Sequence, residues 1–342
     1  MKSISLKTYA KINISLDVTG VREDGYHEVC MVMQAVDLHD EMTVRLMEER
    51  DPDIVLKSNR YYVPTDGRNT AFKAARLMLD LYDARLAAGE TPAAESSGSA
   101  AADAGDKAAQ PSGGRNFGVR IDIGKEIPVA AGLAGGSSNA AGAIVALNAL
   151  LELHLSVEEM CAIGSRVGAD VPFSILSLLA ALKQQNSPVV PDGAEVSAAA
   201  LAEGIGEILT PLPALKMWTV LVKPHFSVAT KEVYKALDQI SIQKHPDTES
   251  VLLGMNTGNI VPVREGMANV LEEVTLVQRP EVAEIRAIMQ QHCPDMTMMS
   301  GSGPTVIGFY DDLGDAKKAA AKFRELGYES FYAGNMRRNR GK

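Results

Sequence analysis

From Ile4 to Leu16 apolar residues return at nearly every second position, a period of two that predicts a strand over Ile4–Asp17. Two more apolar runs, Val29–Val36 and Glu41–Leu46, are joined by Asp37-Leu38-His39-Asp40 and extend this into an N-terminal antiparallel sheet. The period then changes. Between Thr70 and Leu86 the residues Ala71, Ala74, Ala75, Met78, Leu81 and Tyr82 recur at helical spacing, and Asp66-Gly67-Arg68-Asn69 supplies a turn and a cap. Phe117–Ile123 is strand-like again and leads into a glycine-rich segment, followed by an apolar helix from about Ser138 to Leu151. Ser156 and Glu159 stand at the spacing of a capping box, which starts a helix over Ser156–Val167.

The second half repeats the alternation in a new order. Strands are expected at Met217–Lys223, Met296–Met299, Thr305–Tyr310 and Glu329–Ala333. Helices are expected over Thr230–Leu237, near Asn269–Val274, over Glu281–Gln291 and over Gly314–Leu326. The fold class is α+β, and this half fits a split βαβ sandwich. A chain of 342 residues has room for two domains, read as 1–210 and 211–342. Ala87–Arg115 consists chiefly of Ala, Gly, Ser, Pro and acidic residues. Such a stretch cannot bury enough apolar surface to offset its ordering entropy, so a mobile surface insertion is expected there. Ser177–Ala199, with its Pro/Gly/polar centre at Ser187–Asp192, reads as a second insertion.

Composition narrows the function classes. Apolar residues make up 46% of the chain, ample for cores, and a net charge of −9 argues against a nucleic-acid surface. The basic end (Arg337, Arg338, Arg340, Lys342) reads as a solvated tail. No apolar stretch reaches the roughly 18 residues of a membrane span, and the N-terminus lacks the apolar core of a signal peptide. Cys30, Cys161 and Cys293 are far apart without a Cys-x-x-Cys pair, which yields neither a disulfide framework nor a zinc site. A cytoplasmic location is the expectation.

The chemistry gathers in three places. Pro128–Asn139 reads Pro-Val-Ala-Ala-Gly-Leu-Ala-Gly-Gly-Ser-Ser-Asn. Gly132, Gly135 and Gly136 can take positive φ and bring backbone N–H groups close to an anion, and the helix start behind them aims its free amides at the same point. Ser137 and Ser138 add hydroxyls for capping, phosphate or a metal. The segment lacks the lysine of a P-loop and the spacing of a dinucleotide fingerprint. The second place is Ala10-Lys11-Ile12-Asn13 with Asp24-Gly25-Tyr26-His27 behind it. Lys11 either faces solvent or meets a counter-charge. The third is Gly168-Ala169-Asp170-Val171-Pro172-Phe173, where Asp170 either caps a following turn or pairs with a cation in its apolar setting. Ser300–Pro304, between two strands, could close over a ligand.

Taken together, these segments, with Gly20-x-Arg22 and Ala202-Glu203-Gly204-Ile205-Gly206-Glu207, resemble the GHMP kinase family over nearly the whole chain and in the family's order. Asp-Gly-Tyr-His and Gly-Ala-Asp-Val-Pro-Phe point to the branch that phosphorylates a diphosphocytidyl-tetrol in the non-mevalonate isoprenoid pathway. The resemblance implies an N-terminal ribosomal-S5-like nucleotide-binding domain and a ferredoxin-like C-terminal domain. It implies ATP and Mg²⁺ as cofactors, a small-molecule substrate, and no nucleic-acid or membrane partner. In family terms Asp170 takes the proton of the substrate's 2-hydroxyl, and Lys11 stabilises charge and orients Asp170. Tyr26 and His27 line a cytosine pocket, and Asn13 helps to hold the substrate. Pro128, Val129, Ala130, Ala131, Gly132, Leu133, Ala134, Gly135, Gly136, Ser137 and Ser138 wrap the ATP phosphates, while Asn69 and Lys125 fall on the adenosine side. No side chain is implied as a fixed metal ligand, Ser138 being the candidate to touch Mg²⁺. Ser177–Ala199 departs from the family pattern, since it separates Phe173 from the Ala-Glu-Gly-Ile-Gly-Glu segment.

Overall fold

The computed structural model describes residues 3–49, 51–90, 115–292 and 296–336. Most of the expected 87–115 insertion, Cys293 and the basic end (Arg337, Arg338, Arg340, Lys342) lie outside the described residues.

β1 (Ser3–Val21) and β2 (His27–Met47) run antiparallel along their whole length, so the alternation at Ile4–Asp17 marks the front part of a longer strand. Asp37-Leu38-His39-Asp40 does not separate two strands as expected. β2 passes straight through it, with a register shift between the pairs Tyr9–His39 and Ala10–Val36. The polar groups of this stretch find partners in place: the Asp37 N–H donates to the Gly334 carbonyl at 2.8 Å, and the Asp40 carboxylate is fully buried among donors. β1 occupies one edge of β2. The other edge is shared by β4 (Gly118–Gly124), opposite residues 41–47, and by β5 (Ala199–Glu203), opposite residues 31–34. β3 (Ile54–Ser58) lies parallel to β4, and β6 (Ile208–Leu212) closes the six-stranded sheet beside β5. The boundary drawn between 210 and 211 falls inside β6.

Four helices cover the end of this sheet built from Ile4, Leu6, Met42 and Ile121. In α1 (Thr70–Ala87) the Asn69 side chain accepts the Ala71 N–H at 2.9 Å. α2 (Gly135–Leu150) lies so close to β1 that a Cβ on Gly142 would meet the side chains of Thr8 and Met42. α3 (Val157–Ser165) carries the expected capping box: Ser156 Oγ accepts the Glu159 N–H, and the Glu159 carboxylate accepts the Ser156 N–H. α4 (Val171–Gln184) takes in the first part of the segment expected as a second insertion. Ser177–Ala181 are buried within a continuous helix, and only residues 185–198 form a loop before β5. Arg115, assigned to the first insertion, is likewise buried, pairing with Asp53 and Asp83 at 3.2 Å each.

The second sheet comprises β7 (Trp218–Lys223), β8 (Thr297–Met299), β9 (Val306–Tyr310) and β10 (Glu329–Ala333), in the order β10-β7-β9-β8 and antiparallel throughout. Numbered from β7 this is the 4-1-3-2 order of the ferredoxin-like split βαβ arrangement. Its helices are α5 (Thr230–Leu237), α6 (Thr248–Thr257), α7 (Ile260–Gly266), α8 (Glu272–Gln278), α9 (Pro280–His292) and α10 (Leu313–Glu325). The helix expected near Asn269 starts later. The Asn269 side chain donates to the carbonyls of Met299 and Gly301 and accepts from the Leu271 N–H, which holds it outside the helix.

One apolar cluster joins the two sheets, running from Ile12, Ile14 and Met33 to Val220, Val222 and Ile307. β1 is also bonded directly into the second half: Leu16 N–H donates to Ala268 at 2.9 Å, and Val270 N–H donates back to Leu16 at 3.0 Å. No helix among the described residues is long and apolar enough to cross a membrane.

Candidate active site

A cleft of about 1080 Å³ opens where the two halves meet, floored by Lys11 and walled by the 128–137 segment, the Asp24–His27 turn, Asp170 and one face of α5. The glycine-rich segment forms one end. α2 begins at Gly135 rather than near Ser138, so Gly135 and Gly136 are helical and do not take positive φ. The left-handed positions are instead Ala130 (φ 49°), Gly132 (φ 75°) and Ala134 (φ 53°). Ala134 is the N-cap and its methyl side chain accepts no hydrogen bond, so the first-turn amides of Gly135, Gly136 and Ser137 have no side-chain cap. With the helix dipole, they make this end of the cleft favourable for an anion.

Not every residue of the expected cradle faces it. Pro128, Val129, Ala130, Ala131, Gly132, Ala134, Gly135, Gly136 and Ser137 line the cleft. Leu133 is turned into the core, and its carbonyl accepts the Lys11 N–H at 3.1 Å. Ser138 is buried too. Its hydroxyl donates to the Tyr9 carbonyl at 2.5 Å and its N–H to Ala134, so both of its hydrogens are turned away from the cleft. Ser137, one residue earlier, lines the cleft.

Gly132 seats the cradle on the 300–304 loop. Ser300 Oγ donates to the Gly132 carbonyl at 3.1 Å, and a Cβ on Gly132 would strike the Ser300 carbonyl oxygen. Gly132→Ala therefore combines a left-handed alanine, which costs about 1–2 kcal/mol, with a backbone collision. Gly89 has a similar φ of 80° but nothing near its Cβ position. Thermal unfolding of the two alanine variants is expected to show the larger loss for Gly132→Ala. Equal losses would mean that the contact with Ser300 yields freely.

Opposite the cradle, Lys11 and Asp170 meet. The Lys11 ammonium is buried, donates to Asn13 Oδ1 at 2.8 Å and stands 3.7 Å from Asp170 Oδ2. Lys11 thus meets a counter-charge rather than solvent. Asp170 occupies the N-cap position of α4, yet its side chain makes no capping bond. A capping carboxylate accepts from the second or third helical N–H, and the second helical residue here is Pro172, which has none. The carboxylate stays about 29% exposed and faces the cleft beside Lys11.

The Asp24–His27 turn supplies the far wall. Tyr26 is 60% exposed on its rim. His27 is fixed from the other half of the chain: its Nε2 lies 2.7 Å from Asp238 Oδ1, and its ring packs 4.8 Å from that of Tyr234. Burial, and then the charge of Asp170, push the Tyr234 phenol well above its ordinary range. Asn13 does not line the cleft. It is completely buried, its Oδ1 holding Lys11 and its Nδ2 lying against the Met31 sulfur. Asn69 lines the cleft, but its side chain is engaged by the Ala71 N–H and the Pro64 carbonyl.

Lys125 also lines the cleft, just behind Gly135, and its ammonium donates to Asp40 Oδ2 at 2.5 Å. Burial lowers its pKa, and Asp40 works against that shift. The motifs of the sequence do not single out Asp40, Thr230, Tyr234 or Asp238. For the α5 residues a signal exists, because the helix is expected and Thr230, Lys231, Tyr234, Lys235 and Asp238 share one polar face. Among the described residues, no group of three or more His, Cys, Asp or Glu is placed to hold a metal.

Residues 96–177 match the GHMP kinases N terminal domain and residues 251–329 the GHMP kinases C terminal domain. A 4-diphosphocytidyl-2-C-methyl-D-erythritol kinase of Alkaliphilus oremlandii (strain OhILAs) is 41% identical over 321 residues, covering 93% of this chain and 92% of the relative. One from Clostridium novyi (strain NT) is 39% identical over 319 residues, covering 93% and 95%. The crystal structure of a 4-(cytidine 5'-diphospho)-2C-methyl-D-erythritol kinase matches with a TM-score of 0.67 and 28% identity, covering 96% of this chain and 98% of that one. A homoserine kinase from Cytophaga hutchinsonii has a TM-score of 0.63 at 14% identity over 98% and 96% of the two chains, a likeness of fold alone.

Proposed function

The chain belongs to the GHMP kinase family, and we propose that its reaction is the ATP-dependent phosphorylation of the 2-hydroxyl of 4-diphosphocytidyl-2-C-methyl-D-erythritol in the non-mevalonate isoprenoid route. The observation that carries this reading is the Lys11–Asp170 pair at 3.7 Å, set between an uncapped helix N-terminus and the His27 wall of one cleft. Phosphoryl transfer needs an anion cradle, a positioned alcohol and charge stabilisation, and little covalent chemistry from the protein. The amides of Gly135, Gly136 and Ser137 suit the ATP phosphates. The Ser137 hydroxyl, which lines the cleft beside these amides, would meet a phosphate-bound Mg²⁺, which when bound neutralises charge on the transferring group.

Asp170 accepts the proton of the alcohol as attack proceeds. The Lys11 ammonium stabilises charge on the transferring oxygens and holds the carboxylate in place. Asn13 acts from behind by orienting Lys11, rather than by touching substrate. Tyr26, His27 and Tyr234 surround the cytosine. Asn69 and Lys125 belong to the adenosine side, where Asn69 contributes through its fixed position at the start of α1.

The test is ATP consumption by the purified protein with the diphosphocytidyl substrate, homoserine and mevalonate in parallel. Turnover with the first alone is expected. Turnover with another in its place overturns the substrate assignment, and none with any of the three overturns the reading as an active kinase.

A further inference from the structure

α5 lies along the cleft like a ruler. Its Thr230 end touches the loop that supports the glycine cradle, Thr230 Oγ1 standing 2.8 Å from Ser302 Oγ. Its Asp238 end holds His27 at 2.7 Å. Eight helical rises separate these ends, about 12 Å. The cleft face between them carries Lys231 and Lys235, while Val233 and Leu237 on the opposite face are buried in the core. Other cleft-lining cations are already committed: Lys11 to Asp170, Lys125 to Asp40 and Arg68 to Asp66. Lys231 and Lys235 make no ion pair among the described residues. The acid that shares their cleft face, Asp238, is bonded to His27.

Two uncommitted ammonium groups, on the cleft face between the phosphoryl-transfer end and the nucleobase end, call for a ligand that is anionic in its middle. We propose that Lys231 and Lys235 form a diphosphate subsite for the phosphoryl acceptor, a nucleoside diphosphate ester. This rests on the functional reading above and deepens it. An ester of this kind runs base, ribose, diphosphate, alcohol. With the base at His27 and the alcohol at Asp170, its diphosphate falls beside the middle of α5. Lysine, a flexible point charge, suits such a partner on an open wall.

The test is competitive inhibition by cytidine diphosphate and by cytidine, in the wild type and in Lys231→Ala/Lys235→Ala. Both side chains are exposed, so their removal leaves the packing of Val233 and Leu237 untouched. The wild type is expected to prefer cytidine diphosphate over cytidine by tenfold or more, the scale of one or two charge-assisted hydrogen bonds. The double variant is expected to lose most of that preference. Its KM for the acceptor should rise about tenfold, with kcat falling far less and KM for ATP steady. Added salt should weaken the wild-type preference, and Lys318→Ala on α10 should leave it intact. An unchanged preference in the double variant overturns the subsite. If the acceptor is not phosphorylated at all, calorimetric titration with cytidine diphosphate still tests the lysines, so the two failures are distinguishable.

Discussion

Asp170→Asn is expected to lower kcat by roughly 10²–10⁴-fold, the usual worth of a positioned general base, while the affinity for ATP changes little. The separation follows from the layout. In the proposed reaction ATP rests on the backbone at the start of α2, whereas the Asp170 carboxylate makes no capping bond to its own helix and stands apart from that backbone. The asparagine keeps the shape and gives up the proton acceptor. It also leaves Lys11 facing a neutral amide, so part of the loss comes through the lysine. Lys11→Ala is expected to fall in the same range. The double variant should be little worse than either single one, because groups that act as a unit are strongly non-additive. The measurements are kcat for the three variants and calorimetric titration of ATP. Near-wild-type turnover in Asp170→Asn would remove the base from the mechanism, and losses that multiply would show two independent roles.

The largest structural effect is expected at Asp40. Its carboxylate accepts from Lys125 Nζ at 2.5 Å and from the N–H groups of Glu126 and Ile127 and the Asn139 side chain, each at 2.8 Å. Asp40→Ala would strand a buried ammonium and two amides, and breaking a buried pair costs about 3–5 kcal/mol. The deficit should depend on pH in a definite direction. Burial already lowers the Lys125 pKa from 10.5, and Asp40 is what opposes the shift. Without Asp40 the folded state binds the lysine proton less tightly than the unfolded state, so stability must rise with pH as the lysine loses its charge below 10.5. Denaturant unfolding of Asp40→Ala from pH 7 towards pH 10 should therefore show the gap to wild type narrowing. Adding Lys125→Met should recover the lysine share but not the share of the orphaned amides. A variant as stable as wild type at pH 7 would refute the account.

Local chemistry made some of this legible from residues alone. Asn69 and the Ser156/Glu159 box announce α1 and α3 because a cap is read within four residues of its helix. α4 was hidden for the opposite reason. Val171–Ala181 is buried on every side and shows no polar face, so periodicity carries no signal. The glycine segment is legible as a turn into a helix but its dihedrals are not, because the helix starts early enough to absorb Gly135 and Gly136 and leaves the left-handed positions to Ala130, Gly132 and Ala134. Asp37–Asp40 looked like a link between strands since its partners, Gly334 and Lys125, lie far along the chain. Lys11 and Asp170 illustrate the limit. Their residue types hinted at a partner, and the family resemblance named it, but only the folded chain brings two residues so distant in sequence to 3.7 Å.

The two bonds between Leu16 and the 268–270 segment, with the seat of Gly132 on Ser300, have a practical corollary for recombination among relatives. A chimera that takes its front half from one homologue and its back half from another inherits a seam running through the strand that carries the lysine. Crossovers chosen by sequence order alone would mis-set that lysine even when each parental piece is sound. Parents would have to be matched at these junctions first, and only then selected for the acceptor they recognise.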